Sequence, residues 1–423
     1  MGQDINGRCY CLCHLSCDSN WTEPMSRPLR IALLVFIIFR VLFSVWAMVA
    51  LQINPLPERP DEFLRPYLGQ PILTNGVEGL LLGPWQRFDA LRYTSIAANG
   101  YANEAESVFP PLYPLITSIV SRMLGNGYQA VLLSSILVSN ISTILLFGLI
   151  IKIGDLQFTP KISTRALVYY AVFPTSFFLF APYTESLFIL CALAAVWQAK
   201  NGRFVAAGLL GFLAALTRLT GIVLIVPLVL AWWEFNRHQI WPLQAVLREA
   251  KSVTLKELTS SLPLLLPAIG TVLFFVIRNW LGLRPLSEIY QEYWFQTTNF
   301  PGSDVFRAMQ TMFFGGLSRA GEFTLWIDFL TLLFLAWSTY WVFKRLGPVW
   351  GMYNVVLIAF VLLPTSELKP LYSFSRYALA FIPTFWVLAE AGERPLINRL
   401  VLYTGFPLLL YLSGQFFVWG WVA

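Results

Sequence analysis

The sequence predicts an all-α, polytopic transmembrane helical bundle, and three observations carry that prediction. Of the 423 residues, 57% are hydrophobic and only 12% are charged, where soluble domains carry about 25% charge. Apolar runs close to the roughly 20 residues that a span needs recur about eleven times along the chain. Lys and Arg fall between these runs instead of gathering in one basic patch, which is how membrane topology is encoded. The mean hydropathy of +0.62 agrees. Lipid offers the backbone no hydrogen bonds, so such long apolar runs are helices.

The elements follow in order. Residues 1–28 read as a polar cytoplasmic tail holding Cys9, Cys11, Cys13 and Cys17, with His14 among them. Their spacing lacks the paired C-x2-C of most zinc sites. Reversible lipidation is a second option, and a tail of reduced thiols is the plainest reading. The first 26 residues have no apolar core and are not a signal peptide. The candidate spans are 30–53, 129–152, 165–181, 184–200, 203–217, 220–234, 261–281, 323–343, 348–364, 375–391 and 400–421. They place residues 29–423 in one transmembrane domain, with no second soluble domain and no sequence repeat.

Topology turns on residues 110–125, which carry too few apolar side chains to cross and read as interfacial or re-entrant. With the N-terminus in the cytoplasm, Lys152, Lys161, Arg165, Lys200, Arg203, Arg237, Arg248, Lys251, Lys256, Lys344, Arg345, Arg394 and Arg399 then all fall inside, as the positive-inside rule asks. Residues 54–128 and 282–322 become long extracytoplasmic loops. The first is expected to carry interfacial helices, among them a helix-like stretch from Trp85 to Asn99. The second holds the aromatic cluster Tyr290, Tyr293, Trp294 and Phe295. Loops this long in a compact membrane protein are usually functional.

Few residues have the right chemistry and place to act. On a helix, Asp89, Arg92, Tyr93 and Ile96 share one face. A carboxylate there can serve as general base toward a sugar hydroxyl, and Arg92 can hold a phosphate. An interfacial amphipathic helix with its charges in water explains the spacing equally well. Glu185 lies between two apolar runs, either as a membrane-buried functional carboxylate or as a first-turn residue suited to the helix dipole. Arg218 interrupts an apolar stretch and must snorkel, pair or bind an anion; Arg40, in the first span, poses the same question. Arg376, near Lys369, opens a late span at the outer face. Arg218, Arg376 and Lys369 together would make a cationic cluster fit for a lipid phosphate, aided by the helix that begins near Ser375. Ordinary polar packing and interfacial anchoring explain the same residues.

The composition excludes several classes. The net charge of +6 is dispersed, so it marks topology and not nucleic-acid binding. Two histidines argue against a His-rich metal site. No phosphate loop, dinucleotide fingerprint or HExxH helix is present, and a Rossmann-type nucleotide-sugar domain has no room.

Four stretches in order resemble the PIG-V family of mannosyltransferases, within the wider class with the GT-C fold. They are FDALRYTSIAANGY at 88–101, FPPLYPL at 109–115, APYTESLF at 181–188 with TRLTG at 217–221, and SRYALAFIP at 375–383. Phe88 stands where the family usually has Trp, Arg92 where His is frequent, and the last element lacks a Pro before its Arg. The resemblance implies a lipid-linked donor, polyprenyl- or dolichyl-phosphate mannose, and transfer of the sugar by a single inverting displacement at the outer face. Asp89 matches the family's catalytic aspartate. Arg92, Arg218, Arg376 and Lys369 are then candidates for the donor phosphate. Glu185, Tyr113, Tyr183 and Tyr377 are candidates for contact with substrate or acceptor. No cofactor and no metal are expected, Asp89 and Glu185 being the two carboxylates a divalent ion would use. The expected partners are the lipid donor, an acceptor glycolipid, glycan or protein, and the bilayer. The expected location is a bacterial plasma membrane with the site outside, or a luminal site in the endoplasmic reticulum. A transporter or lipid flippase is the alternative, with a midplane site between repeats; a scaffold would have no pocket at all.

Overall fold

The computed structural model describes residues 26–422 apart from 57–60, 62–64, 126, 238–252 and 367. The cysteine-bearing tail, Arg248 and Lys251 lie outside the described residues. Among the described residues, eighteen helices follow in chain order: α1 (Arg27–Ile53), α2 (Gly76–Leu81), α3 (Asp89–Asn99), α4 (Leu112–Leu124), α5 (Tyr128–Gln157), α6 (Pro160–Ala171), α7 (Glu185–Lys200), α8 (Phe204–Thr217), α9 (Ile225–Arg237), α10 (Leu255–Ser261), α11 (Leu266–Trp280), α12 (Leu286–Trp294), α13 (Ser303–Phe314), α14 (Arg319–Leu346), α15 (Pro348–Val361), α16 (Phe374–Tyr377), α17 (Ile382–Ala391) and α18 (Pro395–Phe417). Two three-residue strands, β1 (Gln296–Thr298) and β2 (Pro364–Ser366), pair antiparallel with Thr297 opposite Thr365.

Among the described residues, six helical stretches are long and apolar enough to cross a membrane: Arg27–Ile53, Tyr128–Gln157, Leu219–Asn236, Leu255–Trp280, Arg319–Leu346 and Pro395–Phe417. The eleven expected spans therefore do not map onto eleven continuous helices. The expected run 165–181 stops as a helix at Ala171, and residues 176–179 form a 3-10 turn. Pro174 and Pro182 flank that turn, and neither can donate to a helical ladder. The run 375–391 is broken at Phe381, where Pro383 starts α17. α4 has 13 residues, about 20 Å at 1.5 Å per residue, short of the roughly 30 Å hydrocarbon core.

Side chains are distributed as in an integral membrane protein. α1 buries Ala32, Phe39, Phe43 and Ala47 and turns Leu34, Ile37, Ile38 and Val41 outward, each more than half exposed. α4 buries Tyr113, Thr117 and Ser121 while Leu115, Ile119 and Met123 face out. Apolar side chains outside and small or hydroxylated ones between helices is the pattern that lipid imposes. α8 packs on α11 and on the turn before it through glycines: a Cβ on Gly208 would strike the Pro263 carbonyl in that turn, and one on Gly270 would crowd Phe212 on α8.

Contacts tie the basic loops to one end of the bundle. Arg27 bonds Asp155 at 2.6 Å, Arg165 reaches the Ala389 carbonyl at 2.8 Å, Arg345 pairs with Glu390 and Lys200 with Glu234. α7 runs from Glu185 to Lys200, which puts Glu185 at the other end. There the first long loop folds into α2, α3 and α4, and the second into α12, β1 and α13.

Candidate active site

α3 begins one turn later than the sequence pattern suggests. Trp85 closes a separate 3-10 turn (Gly83–Trp85), and Phe88 sits at φ +51° immediately before Asp89. Positive φ is strained for a bulky residue, and aromatic packing holds it. Phe88 meets Trp419, Trp421 and Phe416 with ring centroids 5.2, 5.4 and 5.8 Å away. Arg87, fully enclosed, donates to the Phe417 carbonyl at the end of α18 at 3.0 Å and lies over the Trp419 ring. The C-terminal segment thereby fixes the backbone that carries Asp89. Asp89 itself is the first residue of α3, where the helix dipole favours a negative charge.

The other charged groups come from broken helices. α8 ends at Thr217, and Arg218 is extended (φ −149°, ψ 142°) before a 3-10 turn. Gly221 closes that turn through a bond to the Arg218 carbonyl at 2.9 Å. A Cβ on Gly221 would press into the backbone of Ala214 and Ala215, which gives the Thr-Gly of this motif a steric reason. Gly221→Ala is expected to lower stability by about 1–3 kcal/mol through overpacking and to displace Arg218. Unfolding of the purified variant in detergent measures this, and a wild-type transition would discard the explanation.

Four charged side chains form one network, with two of them on a single carboxylate. Glu185 Oε1 accepts from Arg218 Nη1 at 2.6 Å and from Arg376 Nε at 2.6 Å. Arg376 Nη1 also donates to Asp89 Oδ2 at 2.8 Å. The Arg376 guanidinium lies over two adjoining rings, Phe178 and Tyr183, 4.9 and 4.6 Å from their centroids, and Arg218 lies over Tyr377. Two carboxylates thus balance two guanidiniums, all at most 17% exposed. Arg376 Nη2, Arg218 Nε and Arg218 Nη2 donate to no described residue.

These groups border a cavity of about 890 Å³, within the size range of ligand sites. Asp89, Arg92, Arg218, Arg376, Tyr183 and Tyr377 line it. Glu185 does not: it stands behind the two arginines and bridges them, so its place is under the site and not on its surface. Arg92 sits 4.0 Å from Glu106 and over Trp294. Burial pushes the Arg92 guanidinium down and the Glu106 carboxyl up.

Besides Glu185, two more expected members do not line the cavity. Lys369 is not part of the cationic cluster: buried, it pairs with Asp328 at 2.5 Å and donates to Thr324 at 3.0 Å. Asp328 also accepts from the Ser375 backbone N–H at 2.7 Å, so this pair anchors the turn that presents Arg376. Tyr113 points into the core and bonds Ser139 and the Ser135 carbonyl, both at 2.8 Å. The expected helix near Ser375 has only four residues, too short to supply a dipole of its own. Arg40 also lies off the cavity, over the Trp85 ring at 5.0 Å. Asp328 escaped sequence reading, although a carboxylate inside an apolar stretch was a signal for it.

The family model described as Mannosyltransferase (PIG-V) matches residues 30–255. GPI alpha-1,6-mannosyltransferase 2 of Rattus norvegicus is 29% identical over 213 residues, covering 48% of this chain and 43% of that protein. The Mus musculus protein of the same name is 35% identical over 155 residues, covering 35% and 31%. In both cases the match spans less than half of the relative's length. Among solved structures, ArnT from Cupriavidus metallidurans bound to undecaprenyl phosphate gives a TM-score of 0.47 at 16% identity, covering 90% of this chain and 77% of ArnT. The Archaeoglobus fulgidus oligosaccharyltransferase gives 0.47 at 12%, covering 90% and 55%. The family match takes in Asp89, Glu185 and Arg218 and extends over more than half of the sequence, so the chain belongs to the PIG-V mannosyltransferase family.

Proposed function

We propose that the protein is a glycosyltransferase that moves mannose from a polyprenyl-phosphate donor to an acceptor hydroxyl at the extracytoplasmic membrane face, with Asp89 as general base. The observation that carries this reading is the meeting of Asp89 with the bridged pair Arg218 and Arg376 on one cavity wall. A base and an anion site side by side are what a single inverting displacement needs.

In this reading the donor phosphate binds the unused N–H groups of Arg218 and Arg376. It takes over the Arg376 Nη1 that Asp89 holds at 2.8 Å, which frees the Asp89 carboxylate. The acceptor oxygen attacks the anomeric carbon from the face opposite the phosphate while Asp89 removes its proton. The new C–O bond forms as the bond to the phosphate oxygen breaks. Polyprenyl phosphate leaves with the electron pair, and its added negative charge rests on the two guanidiniums. The acceptor is a glycolipid, glycan or protein. A transporter would place its charged groups at the midplane between repeats, whereas here they lie at the end of the bundle opposite the basic loops.

The reaction is proposed to run without a metal ion, because both carboxylates that could bind one already hold arginines. Purified protein with radiolabelled polyprenyl-phosphate mannose and a membrane lipid and protein extract is expected to transfer label. A millimolar excess of EDTA is expected to leave the rate within about twofold. Loss of activity in EDTA, restored by a divalent cation, would overturn metal independence. Absence of any donor turnover across sugars and acceptors would sink the enzyme reading.

A further inference from the structure

The cavity has a second polar wall, and its chemistry differs from the first. α12 repeats on a helical period: Ser287, Tyr290, Gln291 and Trp294 line the cavity, and residues three and four apart share a helix face. Gln296, on β1, continues the same wall. The helix's charges stand elsewhere: Glu288 and Glu292 bond Arg284 at 3.3 and 2.7 Å, and Arg284 also takes Glu104 from the first long loop at 3.2 Å. The cavity face of α12 is therefore uncharged, while the wall bearing Asp89, Arg218 and Arg376 is ionic.

The polar groups of this face are idle among the described residues. The Ser287 and Tyr290 hydroxyls and the Gln291 and Gln296 amides make no hydrogen bond to any described residue. Trp294 is fixed by its Nε1–H donating to the Ala105 carbonyl at 3.1 Å and by edge packing on Phe109. Hydroxyls and amides offer both donors and acceptors, and the rings offer flat apolar area beside them. A ligand that matches is neutral, rich in hydroxyls and has an apolar ring face. A phosphate would choose the ionic wall, and an acyl tail would leave four polar side chains without partners. The wall lies wholly beyond residue 255, outside the family match.

We propose that the cavity face of α12, together with Gln296, is a pyranose-binding wall. It rests on the transferase reading above and adds to it where a sugar sits. That sugar is either the mannose of the donor or a sugar residue of the acceptor. The 423-residue protein in nanodiscs would be compared with the Gln291→Leu/Gln296→Leu double variant, whose lost amides have no hydrogen-bond partner among the described residues. Calorimetry would titrate three probes: polyprenyl phosphate, polyprenyl-phosphate mannose and a methyl dimannoside. The variant is expected to bind a sugar-bearing probe about tenfold more weakly and polyprenyl phosphate as the wild type does. Loss confined to the mannosyl lipid assigns the wall to the donor sugar, and loss confined to the dimannoside assigns it to the acceptor. Equal binding of both sugar probes by variant and wild type overturns the wall. So does a parallel loss on polyprenyl phosphate. Should wild type fail to bind polyprenyl phosphate, the donor reading fails, while the dimannoside still decides the wall.

Discussion

Asp89→Asn is expected to lower the transfer rate by about 10³-fold, inside the range for loss of a general base, while donor affinity stays or rises. The asparagine amide oxygen still accepts from Arg376, and Arg376 keeps its 2.6 Å bond to Glu185, so the phosphate site survives. The substitution removes one negative charge from a balanced group of four, which favours an anionic donor. The signature is thus a collapse of kcat with KM for the donor unchanged or lower, an unequal split that misfolding does not produce. Asp89→Glu keeps the carboxylate but moves it by one methylene, and a partial return of kcat is expected from it. Radiolabel transfer measured under donor saturation checks the outcome. A kcat within a few fold of wild type would remove Asp89 from the base role and leave it as a holder of Arg376.

Much of this site was legible because it is built from residues that break a local rule. Arg218 stands out as a charge in an apolar stretch, and the structure gives it an extended backbone between two helical pieces. Glu185 was equally open between helix opening and a buried functional carboxylate; it starts α7 and, buried, bridges two arginines. Spacing placed Asp89, Arg92 and Tyr93 on one face of α3, and all three line the cavity. Sequence reading was weaker where partners come from afar. Lys369 and Arg376 are neighbours in the chain, yet the strained turn between them, with Leu371 and Ser373 at positive φ, sends one to Asp328 and the other to Glu185. Tyr113 lies in a motif, but α4 packs that face on α5. The β1–β2 pairing joins segments 68 residues apart at Thr297 and Thr365, a separation that no local pattern encodes.

Glu185→Gln is expected to destabilise the protein by about 3–5 kcal/mol, the cost of leaving a buried charge without its partner, and to abolish transfer as well. One oxygen serves both arginines at 2.6 Å; without its charge, two guanidiniums face each other in a low-dielectric setting where like charges repel strongly. Arg376 would keep Asp89 as its one carboxylate partner, the group that the reaction needs free. The loss should be non-additive. Adding Arg218→Gln to Glu185→Gln removes the surplus positive charge, so the double variant is expected to be less destabilised than the sum of the two single changes, by an interaction energy of order 1–3 kcal/mol. Equilibrium unfolding of the four proteins in mixed detergent closes the cycle. A single variant within about 1 kcal/mol of wild type would mean that the bridge carries little of the fold. If that variant were stable but inactive, Glu185 would have to be moved from beneath the arginines to the substrate itself, and the donor phosphate site would need a different support.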